Sequence, residues 1–465
     1  MLKLYNSLGR RLEKFVPINE GEVRIYNCGP TVWNYAHIGN FRTFVFQDVL
    51  RRQLKFKGYK VTQVMNITDV EDKIIKGVKQ SGKSLKELTD FYAASFLEDL
   101  DSLNIERVEA MPRATEHLDA ILDLISALQK KGYAYKAPDG SVYFAVSKFP
   151  RYGELSGVRL DSLKPAGRVS SDHYEEKKEA ADFALWKAWD QGDADVYWET
   201  DLGKGRPGWS IECSAMSMKY LGESFDIHTG GMDLKFPHHE NEIAQSEAAT
   251  GKKFVNYWLH SEFLMVRGEE MHKSSGNIVT FRELREKGWA PLEIRFFLVS
   301  ARYRDPMDLT DAALEQARSQ RERLQELVAR LRSVKGGDAK VPAAVGDFLS
   351  EFEAAMDDDL NTPRAITACM GFAKRLNTMI DSRTLGEEGA RAALVALERA
   401  NSVLGVVEFA EGTLEPALAE LVRRRDAARK RKDFAESDRL RKELLAAGVA
   451  VEDTPRGTVW KRVRG

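Results

Sequence analysis

The sequence contains few cysteines, no long apolar run and almost no net charge. Three cysteines in 465 residues are too few for a disulfide framework and are typical of a reducing compartment. Because no stretch of about 18 apolar residues occurs and no signal-like segment opens the chain, we expect a cytoplasmic protein that does not enter membranes. The 70 Lys and Arg residues nearly balance the 71 Asp and Glu residues, for a net charge of −1, so any nucleic-acid-binding surface must be local.

The composition is that of a folded protein, except in one basic segment. Hydrophobic residues make up 43% of the chain and charged residues 30%, which excludes a disordered protein, and the length allows roughly three domains. Residues 421–465, however, hold 14 Lys and Arg against 7 Asp and Glu. This segment indicates either a solvated helix face or an RNA-contacting module, in which Phe434 and Trp460 could stack on bases.

The first 75 residues have the pattern of a β-α-β unit. A strand-like run from Val23 to Cys28 ends at Gly29-Pro30, and Lys60 to Met65 alternates like a second strand. Between them a helix follows Gly39, with i, i+3, i+4, i+8 spacing at its apolar positions Phe46, Val49, Leu50 and Leu54. A strand that leads through a loop to a helix N-terminus is a common phosphate-binding arrangement in α/β folds.

Downstream the pattern changes twice. Residues 113–205 have the character of an insertion, with a helix around Leu118 to Gln129 followed by short strand-like pieces. The α/β pattern resumes at about Trp209, and after about residue 312 the chain becomes helical. In this helical part, Thr362 followed by proline predicts the N-cap of a helix that buries Cys369 in its packing.

Two of the three cysteines and a histidine-containing segment form a candidate metal site. Cys28 and Cys213 lie far apart in the sequence, and the segment PHHENE at 237–242 adds imidazoles and carboxylates. His238 and Glu242 share a helix face at i,i+4, but His239 at i,i+3 is also near, so the residues alone leave both histidines open. Zinc accepts such thiolate, imidazole and carboxylate ligands. The alternative is two buried free cysteines beside a solvated acidic helix start.

Two glycine-containing segments carry candidate phosphate ligands. In the loop that enters the first helix, Gly39 permits close backbone approach, and His37 and Asn40 can donate hydrogen bonds to phosphate oxygens. In a polar loop between Gly268 and Gly276, Lys273 can meet a triphosphate as a mobile point charge.

In combination these two segments resemble the signature motifs of class I aminoacyl-tRNA synthetases. The wider sequence resembles the cysteinyl-tRNA synthetase family over essentially the whole chain, in segments that include CGPTV at 28–32, NITDV at 66–70, GWSIECSAM at 208–216, GGMDL at 230–234 and PHHENE at 237–242. Two departures stand out: Asn40 replaces the last histidine of the first signature, and Glu270 and His272 replace a lysine and a serine of the second. The lysine most important for activation in the family is retained as Lys273.

The resemblance implies a cofactor and an ATP site. It implies one Zn²⁺ at the floor of the amino-acid pocket, where it selects cysteine through its thiolate, with the ligands Cys28, Cys213, His238 and Glu242. It implies ATP, together with its Mg²⁺, at a site formed by His37, Gly39, Asn40 and Lys273. Of these, the residues expected to act in catalysis are His37, Asn40 and Lys273.

The resemblance also implies the substrate contacts and the partners. The ammonium group of L-cysteine would be held by Thr68 and Asp233, with Trp209 as a wall of the pocket. The anticodon of cysteine tRNA would be contacted by Arg429, Phe434, Asp438 and Asp453. The family expectation for the oligomeric state is a monomer.

The fold implied is α/β, with a Rossmann-like parallel-sheet catalytic domain and a connective insert, then an α-helical bundle and a small C-terminal anticodon-binding module. The catalytic domain is expected at 1–112 and 206–311, the insert at 113–205, the bundle at 312–408 and the basic module at 409–465.

Two other functions compete with tRNA charging. One is a cysteine ligase of low-molecular-weight thiol biosynthesis, which the helical and basic extension argues against; the other is a non-catalytic RNA-binding paralogue, which the retained Lys273 argues against.

Overall fold

A computed structural model describes residues 1–159, 177–271, 276–337, 342–409, 416–431, 433–447, 449–454 and 457–462. The chain forms two compact units, Met1–Val407 and Glu408–Gly465. The strands of the first unit are β1 Lys3–Asn6, β2 Arg11–Lys14, β3 Glu22–Asn27, β4 Lys60–Met65, β5 Ala134–Lys136, β6 Val142–Phe144, β7 Phe183–Ala188, β8 Trp198–Thr200, β9 Gly203–Pro207, β10 Phe225–Gly231, β11 Val255–Ser261, β12 Leu264–Val266, β13 Glu269–Glu270 and β14 Met307–Leu309.

Helices surround and follow these strands. In the first unit they are α1 Ile38–Phe56, α2 Asp72–Ser81, α3 Leu85–Ser102, α4 Leu118–Lys130, α5 Trp209–Leu221, α6 His238–Thr250, α7 Phe281–Glu286, α8 Pro291–Val299, α9 Asp311–Ser333, α10 Ala343–Met356, α11 Thr362–Asp381 and α12 Glu387–Leu404. The second unit contains α13 Pro416–Lys430, α14 Phe434–Ala446, β15 Val449–Thr454 and β16 Gly457–Arg462. Among the described residues, none of the helices combines the length and apolarity needed to cross a lipid bilayer.

A four-stranded parallel sheet organises the first unit. Its order is β11-β10-β3-β4, and Ile25 of β3 pairs with Ile227 of β10 on one side and with Gln63 of β4 on the other. Helices cover both faces, so the strands are buried runs, as in other parallel sheets. The predicted α/β class is confirmed, and β4 has the predicted bounds.

Helix α1 begins directly after the loop that leaves β3. Its N-cap is His37, whose Nδ1 accepts a hydrogen bond from the backbone of Asn40, while the Asn40 side chain accepts one from the backbone of His37. This reciprocal cap satisfies two N–H groups at the helix start. The helix buries Phe41, Val45 and other apolar residues against the sheet and ends before Gly58, where φ is +91°.

The carboxyl ends of β3, β10 and β11 meet at one edge of the sheet. At this edge the chain must turn sharply after β3, and Gly29 permits it, because a Cβ there would lie 1.7 Å from the carbonyl oxygen of Asn66. Ligands of open α/β sheets bind outside this edge. The edge is therefore where the candidate site should lie.

The first unit also contains a five-stranded antiparallel sheet and a helical bundle. The sheet has the order β5-β6-β7-β9-β8. In the bundle, Phe348 of α10 stacks on Phe372 of α11 with ring centroids 4.3 Å apart. Cys369 of α11 is 3% exposed, in agreement with the predicted core position.

The predicted N-cap of α11 is wrong by one residue. Asn361 is the N-cap, and its side chain accepts a hydrogen bond from the backbone of Arg364. Thr362 is the first helical residue, and its hydroxyl donates to the carbonyl of Ala301 at 3.2 Å. Because that hydroxyl has a partner outside the helix, the amide side chain of Asn361 caps the helix instead.

A buried arginine joins the sheet helices to the bundle. Arg295 of α8 is 0% exposed, and its Nη2 lies 2.5 Å from Oδ2 of Asp48 on α1. Its other nitrogens donate to the backbone carbonyls of Leu404, Leu103 and Asn104 at 2.8 to 3.0 Å. One side chain therefore ties α1, the end of α3 and the end of α12 together.

We expect Arg295→Met to lower the free energy of unfolding of the first unit by about 3–5 kcal/mol, because three backbone carbonyls lose a charged donor and the buried Asp48 carboxylate keeps only Arg52 as a cationic partner. Urea titration of wild-type and variant chains, followed by tryptophan fluorescence, measures this. Arg11→Met is the control: the Arg11 side chain is 75% exposed in its pair with Glu13, and we expect a change under about 1 kcal/mol. A similarly small change in the free energy of unfolding for Arg295→Met would contradict the role of Arg295 in holding α1, α3 and α12 together.

Candidate active site and metal centre

Four potential metal ligands converge at the carboxyl edge of the parallel sheet. Cys28 follows β3, Cys213 lies on α5, and His238 and Glu242 lie one turn apart on α6. The two Sγ atoms are 3.9 Å apart, Cys28 Sγ is 3.8 Å from Glu242 Oε1, and His238 Nε2 is 3.1 Å from the same oxygen. Tetrahedral zinc with bonds of about 2.0–2.3 Å requires ligand separations of roughly 3.3–3.8 Å, close to these values.

The chemistry of these four groups fits a zinc ion. All four are buried, with exposures of 6% for Cys28, 1% for Cys213, 1% for His238 and 0% for Glu242. Burial raises the pKa of the Cys28 thiol well above its ordinary value and the pKa of Glu242 to about 8. A divalent cation offsets this cost, because it stabilises the thiolate and carboxylate forms that bind it.

A second set of four groups overlaps the first. It contains Cys28, His228, His239 and Glu242, and His239 Nε2 lies 3.2 Å from Cys28 Sγ. The sequence left His238 and His239 open, and both are close to the cluster. The set that includes Cys213 offers two sulfur ligands rather than one, which favours zinc over harder divalent cations.

Two neighbours orient the ligands of the first set. His238 Nδ1 lies 3.1 Å from the hydroxyl of Ser210, which leaves Nε2 facing the cluster. His228 Nε2 lies 2.8 Å from Glu242 Oε2, and its ring stacks on Trp258 with centroids 4.4 Å apart. Burial lowers the pKa of His228 well below its ordinary value, so it is a neutral donor that fixes one carboxylate oxygen and leaves Oε1 toward the cluster.

The sequence interpretation did not identify Ser210 or His228. His228 lies in β10, and a histidine in a strand that is buried along its length was the available signal. Ser210 lies within the family-like segment at 208–216, but no spacing rule pairs it with His238, 28 residues away.

The expected amino-acid contacts lie around this cluster. The indole of Trp209 is 40% exposed and stacks on the His238 ring with centroids 4.1 Å apart. The Thr68 hydroxyl is buried and accepts a hydrogen bond from Asn66 Nδ2 at 3.0 Å. Asp233 lies in a short turn after β10 and is exposed. Burial lowers the pKa of His238, and the negative charge of Asp233 partly opposes this shift.

The expected ATP contacts lie at the start of α1. His37 Nδ1 accepts the Asn40 N–H at 3.2 Å, so the ring proton is on Nε2, and burial lowers the pKa of His37 to about 4. His37 is therefore a neutral donor at physiological pH. The Asn40 Oδ1 accepts the His37 N–H at 3.1 Å, which leaves its amide N–H₂ able to donate outward.

The segment around the second signature touches this helix start. The backbone of Ile38 donates to Val279 at 2.8 Å, and His37 forms a β-bridge with Thr280. A Cβ on Gly39 would come within 2.6 Å of the Met271 side chain, so glycine permits this approach. Lys273 and His272 lie outside the described residues.

The expected anticodon contacts lie in the second unit. Arg429 of α13 is exposed. Phe434, 61% exposed, and Asp438, also exposed, share one face of α14 at i,i+4. Asp453 lies on β15, where its backbone pairs with Thr458.

Comparisons with protein families cover most of the chain. Residues 14–319 match the class I (C) catalytic domain of tRNA synthetases, residues 351–408 match the DALR domain, and residues 411–460 match the cysteinyl-tRNA ligase anticodon binding domain. Among solved structures, a methionyl-tRNA synthetase of Mycobacterium tuberculosis in complex with methionyl-adenylate covers 82% of this chain and 90% of its own, with a TM-score of 0.60 at 14% identity. This likeness shows the class I fold.

Named relatives match over nearly their full length. The cysteine–tRNA ligase of Brachyspira hyodysenteriae is 44% identical over 98% of both chains. That of Thermococcus onnurineus is 45% identical over 99% of both chains. With such identity and coverage, together with the matched domains, this chain belongs to the cysteinyl-tRNA synthetase family of class I aminoacyl-tRNA synthetases.

Proposed function

We propose that this protein is a cysteine–tRNA ligase that activates L-cysteine with ATP and transfers the cysteinyl group to cysteine tRNA. The observation that carries the proposal is the buried cluster of Cys28, Cys213, His238 and Glu242 at the sheet edge where the capped start of α1 also lies. The buried cluster can recognise the thiol of the amino acid, and the start of α1 can bind the phosphates of ATP. Formation of cysteinyl-adenylate requires both.

Selection of cysteine needs more than shape. Serine is smaller than cysteine, so a pocket cannot exclude it sterically, and so small a difference is worth only about 1–3 kcal/mol. Discrimination of roughly 10⁴-fold requires about 5.5 kcal/mol. Cys28, Cys213, His238 and Glu242 would hold a zinc ion, which would offer a coordination position that a thiolate fills far better than a neutral hydroxyl.

The protein's own side chains orient the substrate. Asp233 and Thr68 hold the ammonium group, and Trp209 forms the wall over His238. The substrate carboxylate is thereby directed away from the cluster toward the α-phosphorus of ATP. Its oxygen attacks that phosphorus, and pyrophosphate leaves.

The start of α1 and the second signature stabilise the charge that develops on the phosphates. His37 donates from Nε2 and Asn40 from its amide nitrogen, both near a helix N-terminus that favours anions. Lys273 and a Mg²⁺ that arrives with ATP add positive charge. Asn40 contributes a neutral donor, and Glu270 and His272 make the loop less positive than the family pattern, so ATP is held mainly by preorganised donors.

The tRNA contacts follow the domain expectations. In this proposal residues 1–112 and 206–311 form the catalytic domain and 113–205 the connective insert. Residues 312–408 meet the tRNA stem and 409–465 the anticodon, which is contacted by Arg429, Phe434, Asp438 and Asp453. The match to an anticodon binding domain favours this function over ligation of cysteine to a small acceptor. We expect a monomer that acts in the cytoplasm.

We expect Cys213→Ser to lower both the zinc content and the selectivity. In ATP–pyrophosphate exchange, the preference for cysteine over serine should fall from roughly 10⁴-fold to the 10–200-fold that size alone supports. Zinc per chain is measured on the same samples by mass spectrometry. His239→Gln separates the two ligand sets, because it should keep its zinc if Cys213 and His238 are the ligands.

Cys369→Ser is the matched control, since Cys369 is a buried free cysteine on α11. It should keep both the zinc and the selectivity. Unchanged selectivity of Cys213→Ser, or of wild-type protein stripped of metal, would refute zinc-based selection.

We expect a chain that ends at Val407 to form cysteinyl-adenylate at the wild-type rate and to charge tRNA about 100-fold less efficiently or worse. Loss of even two base contacts at about 1–3 kcal/mol each accounts for this. Pyrophosphate exchange and aminoacylation measure the two steps.

Phe434→Ala should lower the rate of charging and leave pyrophosphate exchange unchanged. Leu445 is also an exposed residue of α14, and Leu445→Ala should lower neither activity. An equal loss of both activities in the truncated chain would contradict the division of labour.

A further inference from the structure

Three aromatic side chains form a patch beside the start of α1. Tyr35 precedes His37 by two residues, and Phe91 and Tyr92 lie on α3. The ring centroids are 6.2 Å apart for Tyr35 and Phe91, 5.4 Å for Tyr35 and Tyr92, and 5.1 Å for Phe91 and Tyr92. We call Tyr35, Phe91 and Tyr92 the aromatic patch.

The aromatic patch presents rings to solvent. Phe91 is 47% exposed and Tyr35 is 37% exposed. The contacts among the rings are edge-on, a geometry worth about 0.5–1.5 kcal/mol per pair. They hold the rings in position and leave part of Phe91 and of Tyr35 open to solvent, so the patch is an apolar surface that the fold itself does not fully bury.

Two cations border the aromatic patch. The Lys83 Nζ lies 5.1 Å from the centroid of Phe91, and the Arg282 Cζ lies 5.0 Å from the centroid of Tyr35. Arg282 is itself anchored, with Nη2 2.9 Å from Glu98. Aromatic faces flanked by Lys and Arg are the chemistry by which proteins bind unpaired nucleotides, since bases stack on the rings and phosphates meet the cations.

The aromatic patch is connected to the segments assigned to ATP and cysteine. Tyr92 packs on the small apolar cluster of Val32, Ile67 and Ala93, and the backbone of Val32 donates to Thr68 at 3.1 Å. Arg282 lies in α7, which starts after Thr280, the bridge partner of His37. The Cα atoms of Tyr35 and His37 are at most about 7 Å apart, because the two residues are separated by one residue in the chain. A single nucleotide could therefore extend from one to the other.

We propose that the aromatic patch binds the unpaired 3′ end of the tRNA and stacks at least one of its bases while the terminal ribose reaches the adenylate. The proposal rests on the function proposed above, because that function brings an acyl-accepting RNA end to this edge. Other parts of a tRNA are base-paired or lie far from the acceptor ribose. A patch this close to His37 therefore fits the 3′ end.

We expect Phe91→Ala to leave cysteine-dependent pyrophosphate exchange unchanged and to lower kcat/KM for tRNA charging by about 5- to 150-fold, the equivalent of about 1–3 kcal/mol for one stacked base. Tyr35→Ala should act in the same direction. Phe91→Trp keeps a stacking face and should retain charging, whereas Phe91→Leu keeps the apolar volume alone and should not. Tyr220→Ala, which removes an exposed ring of α5, is the control and should leave charging unchanged.

Binding of two RNAs separates a 3′-end contact from a structural role. Full-length cysteine tRNA should bind Phe91→Ala more weakly than wild type, whereas the same tRNA without its unpaired 3′ nucleotides should bind both proteins equally. Equal weakening for both RNAs, no weakening for either, or a parallel loss of pyrophosphate exchange would overturn the proposal. Failure of the wild-type enzyme to charge any tRNA would instead overturn the proposed function, and the two binding comparisons would still decide whether the aromatic patch contacts the RNA end.

Discussion

Two thiols, an imidazole and a carboxyl group are buried against one another at the edge of the parallel sheet, where a cation would stabilise the thiolate and carboxylate forms that burial disfavours. Burial raises the pKa of Cys28 and of Glu242, which favours their protonated forms until a cation binds. This constraint explains the surrounding side chains. Ser210 and His228 each contact the outward atom of one ligand, and Trp258, which is buried, stacks on the His228 ring.

The same edge holds a second preorganised group at the start of α1. Burial keeps the His37 imidazole neutral and the reciprocal cap with Asn40 fixes its tautomer, so the helix start offers donors and its dipole rather than a full positive charge. The proposed chemistry uses both groups at once: one recognises the substrate's sulfur and the other the phosphates. Gly29 and Gly39 let the backbone and the second signature come close enough for both.

Local pattern predicted the α/β class, β4 and α1, because strand alternation and helical spacing are properties of consecutive residues. The metal ligands were a different case. Spacing alone could not decide whether His238 or His239 is the ligand. It also gave no sign that Cys28 and Cys213 lie close together, since their proximity depends on how β3 and α5 pack. The family resemblance supplied the set of four ligands. Neither spacing nor the family resemblance identified His228 and Ser210, because their partners are distant in the sequence. The predicted Thr362 cap was wrong because the Thr362 hydroxyl donates to Ala301 instead.

The central claim is that the cluster recognises sulfur directly, and X-ray absorption at the zinc edge tests it. With Cys28 and Cys213 as ligands, the zinc-loaded protein should show two sulfur neighbours. Saturating cysteine should raise the count to three, and saturating serine should leave it at two. A sulfur count that does not change when cysteine binds would contradict the account.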